Sequence, residues 1–524
     1  MARRLPSAVA AAAVLALAAW AFFPVVLLVA HASAIHASWT GADGLIGADG
    51  VLGADQLQYL AWARSIADHG LAADLFTLGR SGHVYLEPAS GFAGGLAALG
   101  GGLITGYLIV KAIAVLVLAG GAAAWCRRLL PGRPGGQLAA VALALFTVTP
   151  ATALVNWLQL GSARFRFDVY LAGDELLAAT KLWGYVPAAL SVGLMCIALL
   201  GLEHAVRGPR RAALSLAAAT ALLCAWLHPW QGITLGLIVI GLSVLRRRRA
   251  EAGALTLMLV AVALPLAYYG LLEHGDAAWR MAAHNEQGPR LPATVLLACL
   301  GPLVVLALAG LRRVRADDPV AEQALILWVP AGLATYWING AFATHAFEGL
   351  MVPLAVLLVR GATRMRLPGP LGWLCVLALT VPGLAYDARK FVRTSRSGLV
   401  QYALPRPDVD ALRWIADHAP PGGVLAPAPF AAVVPSQTGR AVWVGHGDWS
   451  PHYPVRARQV DRLFAGQLGS PASARAFVRA TGARLLIADC DHVHGEPALT
   501  RALGPLIAQV HRFGCARVDV LRGR

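Results

Sequence analysis

Along most of this chain apolar residues do not alternate with polar ones. They gather into runs of about 20 that recur from the N-terminal end to about residue 386. As a helix rising 1.5 Å per residue, such a run crosses the roughly 30 Å of a bilayer's hydrocarbon. The first reaches from Leu5 to about Ala30. Others follow at about 104–126, 136–158, 182–203, 212–228, 231–245, 252–270, 291–311, 321–338, 347–362 and 369–386, which makes about eleven transmembrane helices. The stretch Ala30-His-Ala-Ser-Ala34 faintly resembles a signal-peptidase site. The apolar core before it is longer than the roughly 7–15 residues of a signal peptide, so the segment is expected to stay as an anchor.

The polar breaks carry a second pattern. Arg127-Arg128, Arg207 to Arg211, Arg246 to Arg249, Arg312 to Arg315 and Arg360 to Arg366 each follow an even-numbered run, and the alternate breaks lack such clusters. Basic residues collect in cytoplasmic loops, so the N-terminus is expected inside the cell membrane and the part after the last span outside. The chain is 57% hydrophobic and 14% charged, against about 25% charged in soluble proteins, which confirms the membrane class. The net charge of +16 suggests nucleic acid, but the arginines are spread over separate short loops. A nucleic-acid or anionic-lipid patch needs its cations on one folded surface. No nucleic-acid partner is expected.

From about Lys390 the pattern becomes that of a soluble domain. Pro407 to His418 reads as a helix with proline in its first turn, and Ala441–Gly445, Leu485–Ala488 and Val518–Leu521 read as strands. The expected division is a transmembrane domain over 1–388 and an exported α/β domain over 389–524. Cys126, Cys196, Cys224, Cys299 and Cys375 read as small apolar residues of the spans. Cys490 and Cys515 lie in the tail, where an oxidising compartment allows them to pair; their separation is not fixed by the sequence.

Two external loops carry the candidate chemistry. The first, about 31–103, holds Gly53-Ala-Asp-Gln-Leu-Gln-Tyr-Leu-Ala-Trp-Ala-Arg64, an expected helix with Asp55, Tyr59 and Trp62 on one face. Asp55 at a membrane surface is placed to accept a proton; equally, an aspartate at a helix start is a cap. Glu87 precedes Pro88 further along this loop, and the end, Gly91 to Gly102, suggests an interfacial or re-entrant helix. Asp43, Asp49 and Asp55 recur with a period of six, which reads either as an oxygen-rich cation loop or as a local duplication. The second loop, about 159–181, brings Arg164, Arg166, Asp168, Asp174, Glu175 and Lys181. Three of the 44 basic residues are lysines, so Lys181, beside Trp183 and Tyr185, stands out as a holder of a lipid phosphate, with Arg164 and Arg166. Simple interfacial anchoring explains the same residues. Lys111 lies inside a span, where a charge is costly and often functional unless it snorkels. His228 and Trp230 sit at the tight turn between two spans, and His345 and Glu348 at the outer end of the tenth. In the tail, His446, Trp449 and His452 are candidates for acceptor recognition. No P-loop glycine motif, zinc spacing or obvious repeat symmetry is found.

Together Asp55–Trp62, Phe347-Glu-Gly-Leu-Met-Val-Pro-Leu-Ala-Val356, Ala411 to Pro421, Ser436 to His446 and Pro451 resemble the GT-C superfamily of integral-membrane glycosyltransferases, most of all bacterial multi-span members with an exported C-terminal domain. The resemblance maps the family's acidic residue onto Asp55 as catalytic base. Glu87-Pro88 stands where some relatives have His or Asn before the proline, and Thr344-His345 where relatives often have arginines. It implies transfer of a sugar, with inversion, from a polyprenyl-phosphate donor to an envelope glycan, lipid or protein at the external face. Membrane lipid is the other partner; no cofactor is certain, and a divalent cation is left open. Two alternatives stand beside it: a transporter or flippase for a lipid-linked sugar, and a non-catalytic assembly protein for envelope polysaccharide.

Overall fold

The computed structural model describes residues 5–34, 38–39, 53–79, 81–208, 211–247, 249–287, 290–396 and 401–523. Asp43 and Asp49, and with them most of the hexapeptide repeat, lie outside the described residues. The helices in chain order are α1 (Leu5–Ala34), α2 (Gly53–His69), α3 (Pro88–Ala98), α4 (Leu103–Leu129), α5 (Pro134–Phe146), α6 (Pro150–Leu158), α7 (Ala163–Leu176), α8 (Val186–Val206), α9 (Arg211–Leu227), α10 (Pro229–Arg246), α11 (Arg249–Gly275), α12 (Ala277–Asn285), α13 (Ala293–Leu308), α14 (Val320–Ile338), α15 (Met351–Arg364) and α16 (Gly369–Ser395). In the tail follow α17 (Arg406–Asp417), α18 (Ala428–Ala431), α19 (Val434–Thr438), α20 (Tyr453–Phe464), α21 (Pro471–Thr481) and α22 (Glu496–Leu503).

Each expected span has a helical counterpart, but length and apolarity do not support all eleven as crossings. Among the described residues seven helices are long and apolar enough, or eight if the bent pair α5–α6 is one span. The bend of 51° follows from local chemistry: Pro150 starts a new helix, and the Thr149 hydroxyl accepts from the Thr152 N–H as its cap. The apolar helices α9 and α13 are shorter.

The chain forms two compact units: Met1–Phe23 with Lys111–Leu271 and Gln287–Phe391, and Pro24–Val110 with Leu272–Glu286 and Val392–Arg524. The first is helical. Its central helix is α8, whose apolar residues are buried on all sides. Gly121 of α4 and Gly193 of α8 let these two backbones meet: a Cβ on Gly121 would lie 2.6 Å from the Gly193 carbonyl oxygen, and one on Gly193 2.6 Å from that of Val117. Such small-residue contacts are a common way to pack helices in lipid. Helices α8, α10 and α15 begin at one end of this unit, beside Tyr185, His228 and Glu348, and finish at the other in Arg207, Arg246 and Arg364.

The second unit is mixed, and it departs from the expected boundary at 388. The first loop belongs with the tail because its buried side chains and backbone groups are completed there. Ser38–Trp39 (β1) pairs with Ala403–Leu404 (β2), the Val442 N–H donates to the Leu75 carbonyl at 2.9 Å, and the Ser450 hydroxyl donates to that of Phe76 at 2.9 Å. A four-stranded sheet follows, β3 (Val424–Leu425), β4 (Leu485–Ala488), β5 (Ile507–Phe513) and β6 (Ala516–Leu521), in the order β3-β4-β6-β5. Only β3 and β4 run parallel. Two of the three expected strands are present. Ala441–Gly445 is not a strand: only Val442 bridges to Val424, because the segment bends to bring His446 inward. β5 escaped the sequence reading because its polar residues, Gln509, His511 and Arg512, break up the apolar run. Cys490 and Cys515 form a disulfide, and the other five cysteines are free.

Candidate functional site

Polar groups with chemical potential gather in one cluster in each unit. In the mixed unit the cluster is built on α2. Asp55 lies in its first turn with 42% of its side chain exposed. One and two turns on, Tyr59 and Trp62 meet edge to face, ring centroids 5.4 Å apart. The segment His446-Gly-Asp-Trp449 approaches the same face. His446 Nε2 is 3.9 Å from Asp55 Oδ1, and one ligand atom from each of Asp55, His446 and Asp448 lies within 4.8 Å of the other two. The Ser450 hydroxyl accepts from the backbone N–H groups of Gly445 and His446, which fixes the turn.

This turn also sets the state of the imidazole. The Asp448 N–H donates to His446 Nδ1 at 3.2 Å, so the proton of the neutral ring resides on Nε2, the nitrogen nearest Asp55. Burial lowers the His446 pKa, opposed by the Asp448 charge. His446 is therefore a neutral N–H donor beside a half-exposed carboxylate. Around them stands an aromatic wall. Trp449 meets Trp62 at 5.3 Å and Trp279 of α12 at 5.0 Å, and Tyr85 meets Trp62 and Trp279 each at 4.6 Å.

In the helical unit, Lys181, His228, Trp230, His345 and Glu348 come together, although 167 positions separate the first from the last. Lys181 Nζ lies 2.7 Å from Glu175 Oε2, 3.4 Å from Asp174 Oδ2 and 3.5 Å from Glu348 Oε1. His345 Nδ1 is 3.0 Å from Glu175 Oε1 and 3.2 Å from Glu348 Oε1. His228 Nε2 is 3.1 Å from Glu348 Oε2 and from the Tyr185 hydroxyl. The Trp230 ring packs against His345 at 5.0 Å, and its Nε1–H donates to the Ala341 carbonyl. Burial alone would raise Glu175, but Lys181 and then His345 outweigh it and hold its carboxyl well below the usual range. The same carboxylates, Glu175 foremost, overcome burial and push Lys181 up. Its ammonium thus already faces three carboxylates.

The remaining candidates have surroundings of their own. Glu87 is the buried N-cap of α3: its two oxygens accept from the Ala89 and Ser90 N–H groups at 2.8 and 2.7 Å. Lys111 is fully buried in α4, with its ammonium 5.7 Å from the Phe22 ring centre, so it does not snorkel. Arg164 pairs with Asp168 at 2.9 Å, and Arg166 donates to the Gly161 carbonyl at 2.7 Å; both stand at the start of α7. His452 is exposed at the head of α20.

Sequence reasoning missed Asp448 and Trp279, and did not join His446 to Asp55. The signal was the acid-histidine density of His446-Gly-Asp448-Trp-Ser-Pro-His452; what was missing was the 391-residue jump back to α2. For a metal, two donor sets are suitable in kind: two imidazoles and a carboxylate in His228, His345 and Glu348, or one imidazole and two carboxylates in Asp55, His446 and Asp448. Both Glu348 oxygens and His345 Nδ1 are buried without a well-directed hydrogen bond, which fits a cation there.

No family model and no curated protein matches the chain by sequence. Solved structures do. The structure of ArnT from Cupriavidus metallidurans bound to undecaprenyl phosphate is similar at a TM-score of 0.51 and 13% identity, covering 95% of this chain and 98% of that one. The archaeal oligosaccharyltransferase AglB from Archaeoglobus fulgidus, in complex with an inhibitory peptide and a dolichol-phosphate, overlaps more weakly, at a TM-score of 0.41 and 12% identity over 88% of this chain and 69% of that one. The chain is a multi-pass membrane protein with the GT-C fold.

Proposed function

We propose that this protein transfers a sugar from a polyprenyl-phosphate donor to an acceptor of the cell envelope at the outer membrane face, with Asp55 as general base. The observation that carries the reading is the Asp55–His446–Asp448 group in a GT-C fold: a half-exposed carboxylate with a neutral imidazole N–H beside it. The acceptor hydroxyl oxygen attacks the anomeric carbon as the bond from that carbon to the phosphate oxygen breaks, and its proton passes to Asp55. One displacement inverts the anomeric centre. The leaving phosphate is a weak base and needs cations rather than an acid. Within the helical unit Lys181 holds Glu175 and Glu348 in place, and His228, His345 and Glu348 would be the residues to hold a divalent cation. The donor class is supported by the undecaprenyl phosphate bound in the similar ArnT structure.

The test is Asp55→Asn, assayed for sugar transfer from a polyprenyl-phosphate sugar in membranes, with mass spectrometry of the lipid that co-purifies. Loss of transfer by about 100-fold or more, with the lipid still bound, is expected. Unchanged transfer by a well-expressed variant removes Asp55 as the base.

A further inference from the structure

Arginines from three of the five basic breaks, those after α4, α13 and α15, surround a cavity of about 450 Å³ in the helical unit. Its wall carries four guanidinium groups, Arg133, Arg312, Arg360 and Arg364, against one carboxylate, Glu322. The break after α4, Leu129 to Pro131, supplies an apolar lip, and Thr363 a hydroxyl.

Not all of this charge is internally spent. Arg360 donates to both oxygens of Glu322, at 2.8 and 2.7 Å, and to the Leu129 carbonyl at 2.7 Å. Arg312 divides its donors between Glu322 at 3.3 Å and Asp318 at 3.0 Å. These two arginines are neutralised and tie the ends of α4, α14 and α15 together. Arg364 bonds only the carbonyls of Ala309 and Leu311, just past α13, and Arg133 is exposed with no side-chain cap bond at the start of α5. Among the described residues, then, two cations face the cavity without a carboxylate. The positive end of α5 adds to them: Pro134 occupies its first turn, and the exposed Gly135 puts no side chain over the N–H groups there. One turn inward from the charged rim the surface is greasy and exposed, at Leu138 of α5 and Leu308 of α13.

A cavity with unneutralised arginines above exposed apolar helix sides matches a phosphate that carries acyl chains. We propose that this pocket binds a phosphate ester and that its occupant is the headgroup of an anionic phospholipid. Covering helix ends explains Arg360 and Arg364 but leaves Arg133 without a task. A soluble phosphate compound shares the recognised chemistry but would leave the apolar lip and flanks unused.

The full-length protein, reconstituted in nanodiscs of phosphatidylcholine with a minority of phosphatidylglycerol and then extracted into detergent, is examined by native mass spectrometry for retained lipid. Wild type is expected to retain phosphatidylglycerol selectively. Arg133→Gln with Arg364→Gln is expected to weaken retention about 30-fold, since each arginine near an anionic lipid contributes about a fivefold effect. Arg247→Gln, an exposed arginine bonded only to its own helix's Val244 carbonyl, should leave retention unchanged. Arg133→Gln alone, which breaks no bond within the protein, guards against misfolding and should show the smaller loss. Equal loss with Arg247→Gln, or none with the double variant, overturns the pocket. Displacement of phosphatidylglycerol by millimolar inorganic phosphate identifies a free phosphate as the occupant and overturns the lipid assignment.

Discussion

At the scale of single residues, two charged side chains that the sequence singles out alike, Asp55 and Lys181, have different tasks. Asp55 keeps 42% of its side chain exposed, beside a neutral imidazole, and a half-exposed carboxylate contributes little to stability through its charge. Asp55→Asn should leave thermal unfolding within about 0.5 kcal/mol of wild type, in line with substitutions away from buried networks, while transfer falls. Lys181 is the converse. It is buried among Asp174, Glu175 and Glu348; Lys181→Met would strip Asp174 of this ammonium and leave Glu175 and Glu348 to His345, His228 and the Thr344 hydroxyl. Breaking such a buried network costs about 3–5 kcal/mol, so Lys181→Met is expected to lower the melting temperature in detergent sharply. A normal melting curve for that variant would show the network to be dispensable. His446 tests the coupling between the two effects. Its Nδ1 is occupied by the Asp448 N–H, so His446→Gln, which keeps a donor in that direction, should retain more transfer than His446→Ala.

Among the elements, the helical pattern was readable because lipid imposes it: a run of about 20 apolar residues has one economical structure, and each run became a helix. The bend between α5 and α6 was not readable as two helices, because Thr149-Pro150 interrupts a run whose apolarity continues. The fate of the first loop was hidden for a different reason. Its pairing with the tail uses backbone groups of β1 and β2 and contacts hundreds of positions apart, which no local period records. Close contact between α4 and α8 was equally silent in the pattern and shows in Gly121 and Gly193. Gly193→Val should force α4 and α8 apart and cost about 1–3 kcal/mol, measured as loss of folded protein on heating. In the tail, Asp408 of α17 is buried beside Asp489; burial, then Asp489, raise its pKa to about 7, although the Cys490 N–H that donates to it opposes this. A carboxyl whose folded value lies above its ordinary 3.8 holds its proton more tightly when folded. Its contribution to stability is fully present below about 3.8 and is lost as pH rises through about 7. Asp408→Asn, which keeps the acceptor oxygen, should match wild type below about pH 3.8 and melt progressively higher than wild type as pH rises to about 7. A melting difference that does not change with pH would contradict this.

For the whole molecule, sidedness is the property that joins these parts, and the structure gives it a physical frame within the helical unit. Helices α8, α10 and α15 each carry a polar cluster at their starts and an arginine at their ends. The rise of 1.5 Å per residue puts those ends roughly 20–30 Å apart, close to a hydrocarbon thickness. Arginine collects on the cytoplasmic side, so the His228–His345–Glu348 end faces outward in the proposed orientation. The tail offers an independent check through its cysteines. Thiols pair and stay paired in oxidising compartments and are kept reduced in the cytoplasm. Protein denatured directly from cells, without reductant, should therefore take five maleimide-polyethylene-glycol labels, one for each free cysteine. After reduction it should take seven, the additional two from Cys490 and Cys515. A single cysteine introduced at exposed Gly447 in a variant lacking the five free thiols should react with impermeant maleimide in intact cells, and one at Arg366 only after the membrane is opened. Seven labels without reductant, together with Gly447 protected and Arg366 reactive in intact cells, would turn the protein over in the membrane and place Asp55 where nucleotide sugars, not lipid-borne ones, are the available donors.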